Sequence, residues 1–128
     1  MKNNDMLKFA SLLSLLLLVA HLADDVIRGM FPTGILILYY AIFSGLLLYG
    51  ILVLAERRSG VLIMLLVSLF AIAMPVLHTR GNGVATIAKS LGGFYFVFTI
   101  MVLGALGIFS FILSLRALWN LRPGQARS

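Results

Sequence analysis

Residues 34–55 read GILILYYAIFSGLLLYGILVLA, a run with no Asp, Glu, Lys, Arg or His, and it is closed at once by Glu56-Arg57-Arg58. As a helix rising 1.5 Å per residue, this run reaches about 33 Å, enough to cross a hydrocarbon core about 30 Å thick. Its apolar residues are continuous rather than alternating, which excludes a strand of a membrane β-barrel. A segment of this kind has to satisfy its backbone internally, so it predicts a transmembrane helix.

Three further apolar runs flank it. Phe9 to Ala23 follows Lys2 and Lys8 and extends to Arg28, where Gly29 and Pro32 provide a stop. Neither alanine that could end a signal peptide here has a small residue at the minus-three position: Ala23 has His21 and Ala20 has Leu18. The run is therefore read as a retained helix. Val61 to Leu77 begins after Ser59, an N-cap residue type, and carries Pro75 near its far end, where a kink is expected because proline lacks an N–H. Leu91 to Leu115 continues past Arg116 to Trp119, a headgroup-level anchor, before Pro123 and Gly124. The predicted fold is an all-α polytopic transmembrane four-helix bundle in one domain, residues 1–128, with helices near 7–28, 34–55, 60–79 and 91–119 and a polar tail over 121–128. Ala41 and Gly45, one turn apart on the second helix, are the small-residue pair expected to admit a neighbouring helix.

Composition agrees. Apolar residues make up 62% of the 128 and the mean hydropathy is +1.10, against an apolar share of about 45–50% in soluble domains. The net charge of +6 comes from ten Lys and Arg against four Asp and Glu. These basic residues stand at the ends of apolar runs, without the clustering and interleaved aromatics of a nucleic-acid face. The partner they imply is the bilayer. The absence of cysteine excludes disulfides, thiolate metal sites and iron–sulfur clusters. Lys2, Lys8, Arg57, Arg58, Arg116, Arg122 and Arg127 fall on one side of the expected topology, and Arg28, Arg80 and Lys89 on the other. The positive-inside rule then places both termini in the cytoplasm, as in an integral protein of the bacterial inner membrane.

Polar residues inside these runs mark where chemistry is to be sought. His21, Asp24, Asp25 and Arg28 recur at helical spacing and form one stripe, which Ser14 continues deeper. Counted from Lys8, His21 lies about 20 Å in, the two aspartates about 24–26 Å and Arg28 about 30 Å; His78, counted from Gly60, lies about 27 Å in. Topology brings the stripe and the His78-Thr79-Arg80 cluster to the same outer end.

Three readings fit these residues. The ion pairs of the stripe can satisfy one another and act only structurally, in a subunit of a membrane complex. Alternatively His21, Asp24, Asp25, Arg28, His78 and Arg80, with Tyr39, Tyr40 and Tyr95 lining a cavity beneath, form an outer-leaflet pocket for a small polar solute, ion or proton. The protein would then be a transporter-like or accessory subunit, as a homo-oligomer or within a complex, rather than an enzyme. In the third reading His21, Asp24, Asp25 and His78 supply ligands to a divalent metal, and the chain is a membrane-embedded hydrolase or oxidoreductase acting on a lipid or quinone-like substrate. Haem ligation by the two histidines is disfavoured by an expected 7 Å difference in depth, roughly five residues of helical rise. The helical serines are expected to bond back to backbone carbonyls rather than to act as nucleophiles. Gly81-Asn82-Gly83 lacks the strand, lysine and helix of a phosphate loop. In size and helix number the chain is similar to small multidrug-resistance transporters and fluoride channels, but the first helix lacks the mid-membrane glutamate of the former and no motif of the latter is found, so no residue role follows from either.

Overall fold

The computed structural model describes residues 3–27, 29, 33–79 and 87–121. It is all-helical, with α1 over Asn3–Ile27, α2 over Thr33–Leu52, α3 over Arg58–Thr79 and α4 over Leu91–Asn120. Of these, α1, α3 and α4 are long and apolar enough to span a membrane. Arg28, Arg80, the side chain of Tyr39 and the tail beyond Leu121 lie outside the described residues.

Helix ends differ from the predicted ones for local reasons. Gly29, at φ 69°, adopts the left-handed conformation that ends α1, and its N–H bonds the Val26 carbonyl at 3.0 Å. At its far end α2 stops at Leu52 rather than Ala55. Val53 and Leu54 both donate to the Tyr49 carbonyl, Arg57 donates to Leu54, and the chain reverses within five residues. Gly60 permits this turn, since a Cβ there would lie 1.9 Å from the Leu54 carbonyl oxygen. Helix α3 starts at Arg58, so Ser59 is inside it and is not its cap. Ser90 caps α4, its hydroxyl accepting from the Gly93 N–H at 3.0 Å. A Cβ on Gly93 would sit 1.5 Å from the Ile87 carbonyl oxygen.

Helices α3 and α4 form the most extensive pairing; α1 packs on α4, and α2 contacts α1 and α3. The close approach is on α4, not at the predicted Ala41–Gly45 pair. A Cβ on Gly104 would meet the Pro75 ring at 2.5 Å, and one on Gly107 would meet the Ile72 nitrogen at 2.9 Å. The Pro75 ring thus fits the notch left by Gly104, fixing the register of α3 on α4, with α3 continuing through the proline to Thr79. Gly45 faces open space, with nothing within 4 Å of its would-be Cβ, and Ala41 is exposed as well.

The core has two parts. Leu7, Val61, Met64, Leu113 and Ala117 pack with Leu47 and Ile51 at one end, and Leu18, Leu22, Ala71, Met74 and Leu103 pack nearer the other. Exposed large apolar side chains such as Phe9, Leu16, Ile42, Leu66, Phe98 and Ile108 cover the outside. That inversion suits a hydrocarbon solvent. Five serines are buried among the packed faces: Ser14 and Ser68 bond back to the carbonyls of Ala10 and Leu65, as predicted. Ser11, Ser110 and Ser114 find no hydrogen-bond partner among the described residues.

Candidate metal centre

The amino end of α1 and the α2–α3 turn lie together, tied by Lys8 Nζ to Glu56 Oε1 at 3.0 Å and by Asn4 Nδ2 to Glu56 Oε2 at 3.2 Å. At the opposite end, α1, α3 and α4 bring His21, Asp25, His78 and Phe96 together. His21 and Asp25 are one turn apart on α1 and face inward, each only 2% exposed. His78 stands one turn beyond Met74 on α3, positioned by the Pro75–Gly104 fit. The imidazole rings of His21 and His78 meet edge to face with centroids 5.0 Å apart, and Phe96 packs on both, at 4.8 and 5.7 Å. The expected 7 Å offset in depth is therefore absent. Haem is unsuited for a different reason: rings in direct contact leave no slot for a macrocycle between them.

Donor atoms converge here. One from each of His21, Asp25 and His78 lies within 4.8 Å of the others, and the His21 Nε2 to Asp25 Oδ2 separation is 3.7 Å. That distance is too long for a hydrogen bond. It is close to the spacing of two donors around one ion, because bonds of about 2.0–2.1 Å place tetrahedral neighbours about 3.3 Å apart. His78 Nδ1 lies 2.9 Å from the Met74 carbonyl oxygen. A carbonyl can only accept, so Nδ1 carries a proton, and in the neutral ring Nε2 then holds the lone pair, the arrangement by which a backbone carbonyl orients a metal-binding imidazole. Neither nitrogen of His21 makes a hydrogen bond among the described residues. Burying an unsatisfied polar atom costs about 1–3 kcal/mol.

The remaining predicted site residues are distributed around this centre. Asp24 is half-buried and lines a cavity of about 240 Å³ between α1 and α4, whose walls also include His21, Phe96 and Tyr95. Tyr40 lines a separate apolar groove between α1 and α2, with Leu22, Val26 and Ser44. The expected tyrosine-lined cavity is thus not one space: α1 lies between Tyr40 and Tyr95. Arg28, Arg80 and Tyr39, also predicted here, are among the residues or side chains not described. Sequence reasoning missed Phe96, since a phenylalanine in an apolar helix carries no signal of its neighbours. It also missed the Gly104–Gly107 notch that seats α3, although two glycines at that spacing were visible.

Compared with known protein families, with curated proteins and with solved structures, the chain matches none.

Proposed function

We propose that this chain is an integral membrane protein that crosses the bilayer four times and binds one divalent first-row transition ion at its outer end through His21, Asp25 and His78. The observation that carries this is the convergence of two imidazoles and a carboxylate from two helices within 4.8 Å, with His21 and Asp25 buried and His78 partly so. Two nitrogen donors favour zinc, iron or a related ion over magnesium and calcium, which take oxygen ligands. The outer placement is supported by charge: Lys8, Arg57 and Arg58 gather at the end opposite the site, where the positive-inside rule expects the cytoplasm. The second helix, 20 residues without a charged side chain, completes the fourth crossing. With the buried ionisable groups of the described residues gathered at one end, the protein acts as an ion-binding subunit rather than as a complete transporter.

The test is metal analysis of detergent-purified protein equilibrated with zinc or ferrous iron and freed of excess. About one ion per chain is expected, with affinity falling at least tenfold in His21→Ala and in His78→Ala, and further in Asp25→Asn than in Asp24→Asn. Glu56→Gln, at the far end, should bind normally. Sub-stoichiometric metal, or equal binding by the histidine variants, would overturn the assignment.

A further inference from the structure

The protein-derived ligands account for three positions among the described residues, and a tetrahedral centre has four. Closed structural sites use four protein donors, whereas sites that exchange ligands use three and leave the last to water or substrate. Among the described residues, two cavities touch those of the centre. The one bounded by His78, Phe96 and Ile100 has a volume of about 10 Å³, at or below the minimum for one water molecule. The other, of about 240 Å³, has Ala20, His21 and Asp24 on its α1 wall and Gly92, Tyr95 and Phe96 on its α4 wall. A water occupies about 30 Å³ in the liquid, so this space admits a ligand of several heavy atoms. His21 forms part of both the metal set and this wall.

Resting on the metal assignment above, we infer that the centre keeps an exchangeable coordination position, supplied through the α1–α4 cavity, for a small polar ligand. The limit is one of size. Water, hydroxide and small carboxylates fit a space of about 240 Å³, whereas lipid phosphates and long acyl substrates do not, because the cavity is too small to enclose them.

Cobalt(II) replaces zinc or iron in such sites and reports coordination through its visible absorption. Cobalt-loaded protein titrated with sodium azide, and separately with sodium formate, should show a saturable spectral change. Ala20→Phe, a substitution at an exposed position on the cavity wall, should bind one cobalt with the same resting spectrum but require at least tenfold more azide. A cobalt-loaded protein that ignores both anions overturns the exchangeable position and leaves the metal assignment intact. An undiminished azide response in Ala20→Phe overturns the cavity as the route. Failure to load cobalt overturns both proposals, and circular dichroism of each variant separates that outcome from unfolding.

Discussion

The two ends of the molecule each bring a basic side chain up to a carboxylate, and the shorter contact is the less consequential. Lys8 and Glu56 approach to 3.0 Å, with the Glu56 side chain 70% exposed, whereas His21 and Asp25 are 3.7 Å apart and almost wholly buried. Exposed pairs are screened by solvent and contribute about 0–1 kcal/mol. Buried groups pay for desolvation in full unless geometry compensates, and at His21 hydrogen bonding does not. Distance alone therefore ranks these contacts wrongly. The Lys8–Glu56 end looks like a fastening, and the His21–Asp25 end like a site maintained at the expense of stability.

Each end is also secured by one glycine, and these offer the sharpest contrast. Gly60 clears the Leu54 carbonyl at the fastening end and Gly93 clears the Ile87 carbonyl at the site end, both at distances that no Cβ tolerates. Gly60→Ala and Gly93→Ala should each destabilise by about 1–3 kcal/mol, the range for forced overpacking, visible as a lowered Tm in detergent. Only Gly93→Ala should also weaken metal binding, because it shifts the first turn of α4 and with it Phe96. Equal loss of metal affinity in both variants would show that the ends are not independent.

His21→Leu probes the cost directly. Replacing an imidazole whose nitrogens lack hydrogen bonds with an apolar side chain should leave the metal-free protein as stable as before, or raise its stability by up to about 1–3 kcal/mol, while abolishing the stabilisation that added zinc gives the parent. A metal-free Tm that falls sharply would make the cluster structural, the self-satisfied arrangement that the spacing of the stripe also allows.

Much of the fold was legible because its signals are local. Uncharged runs such as residues 34–55 declare helices, Gly29 declares a stop, and the spacing of His21 and Asp25 puts them on one face whatever surrounds them. What depended on tertiary register was not legible. Small residues mark where helices can approach, so Ala41–Gly45 and Gly104–Gly107 read alike; only the position of Pro75 opposite Gly104 decides between them. The same register brings His78 to His21 across 57 residues of sequence, and depth counted from assumed membrane boundaries put the rings further apart than the 5.0 Å between their centroids. Which of two adjacent aspartates joins the histidines was likewise open: Asp25, four residues from His21, turns inward, and Asp24 turns to the cavity.

Smaller effects are expected away from the site. Glu56→Gln should lower stability by no more than about 1 kcal/mol, and the difference from the parent should shrink in high salt, where exposed charges are screened.

The smallest effect is expected at Gly45. A helix interior gains up to about 1 kcal/mol when alanine replaces glycine, and the open space around Gly45 imposes no steric cost, so Gly45→Ala should leave Tm unchanged or slightly raised. Gly45→Leu extends the test, because a leucine projects into whatever lies beyond α2. If α2 faces only lipid, the larger side chain replaces one apolar contact with another and Tm stays within a degree or two of the parent. A marked loss, accompanied by a smaller species in detergent, would show that a second copy packs on the Ala41–Gly45 face. The small-residue spacing would then describe an interface between chains rather than one within this chain, which is the distinction that a single sequence does not encode.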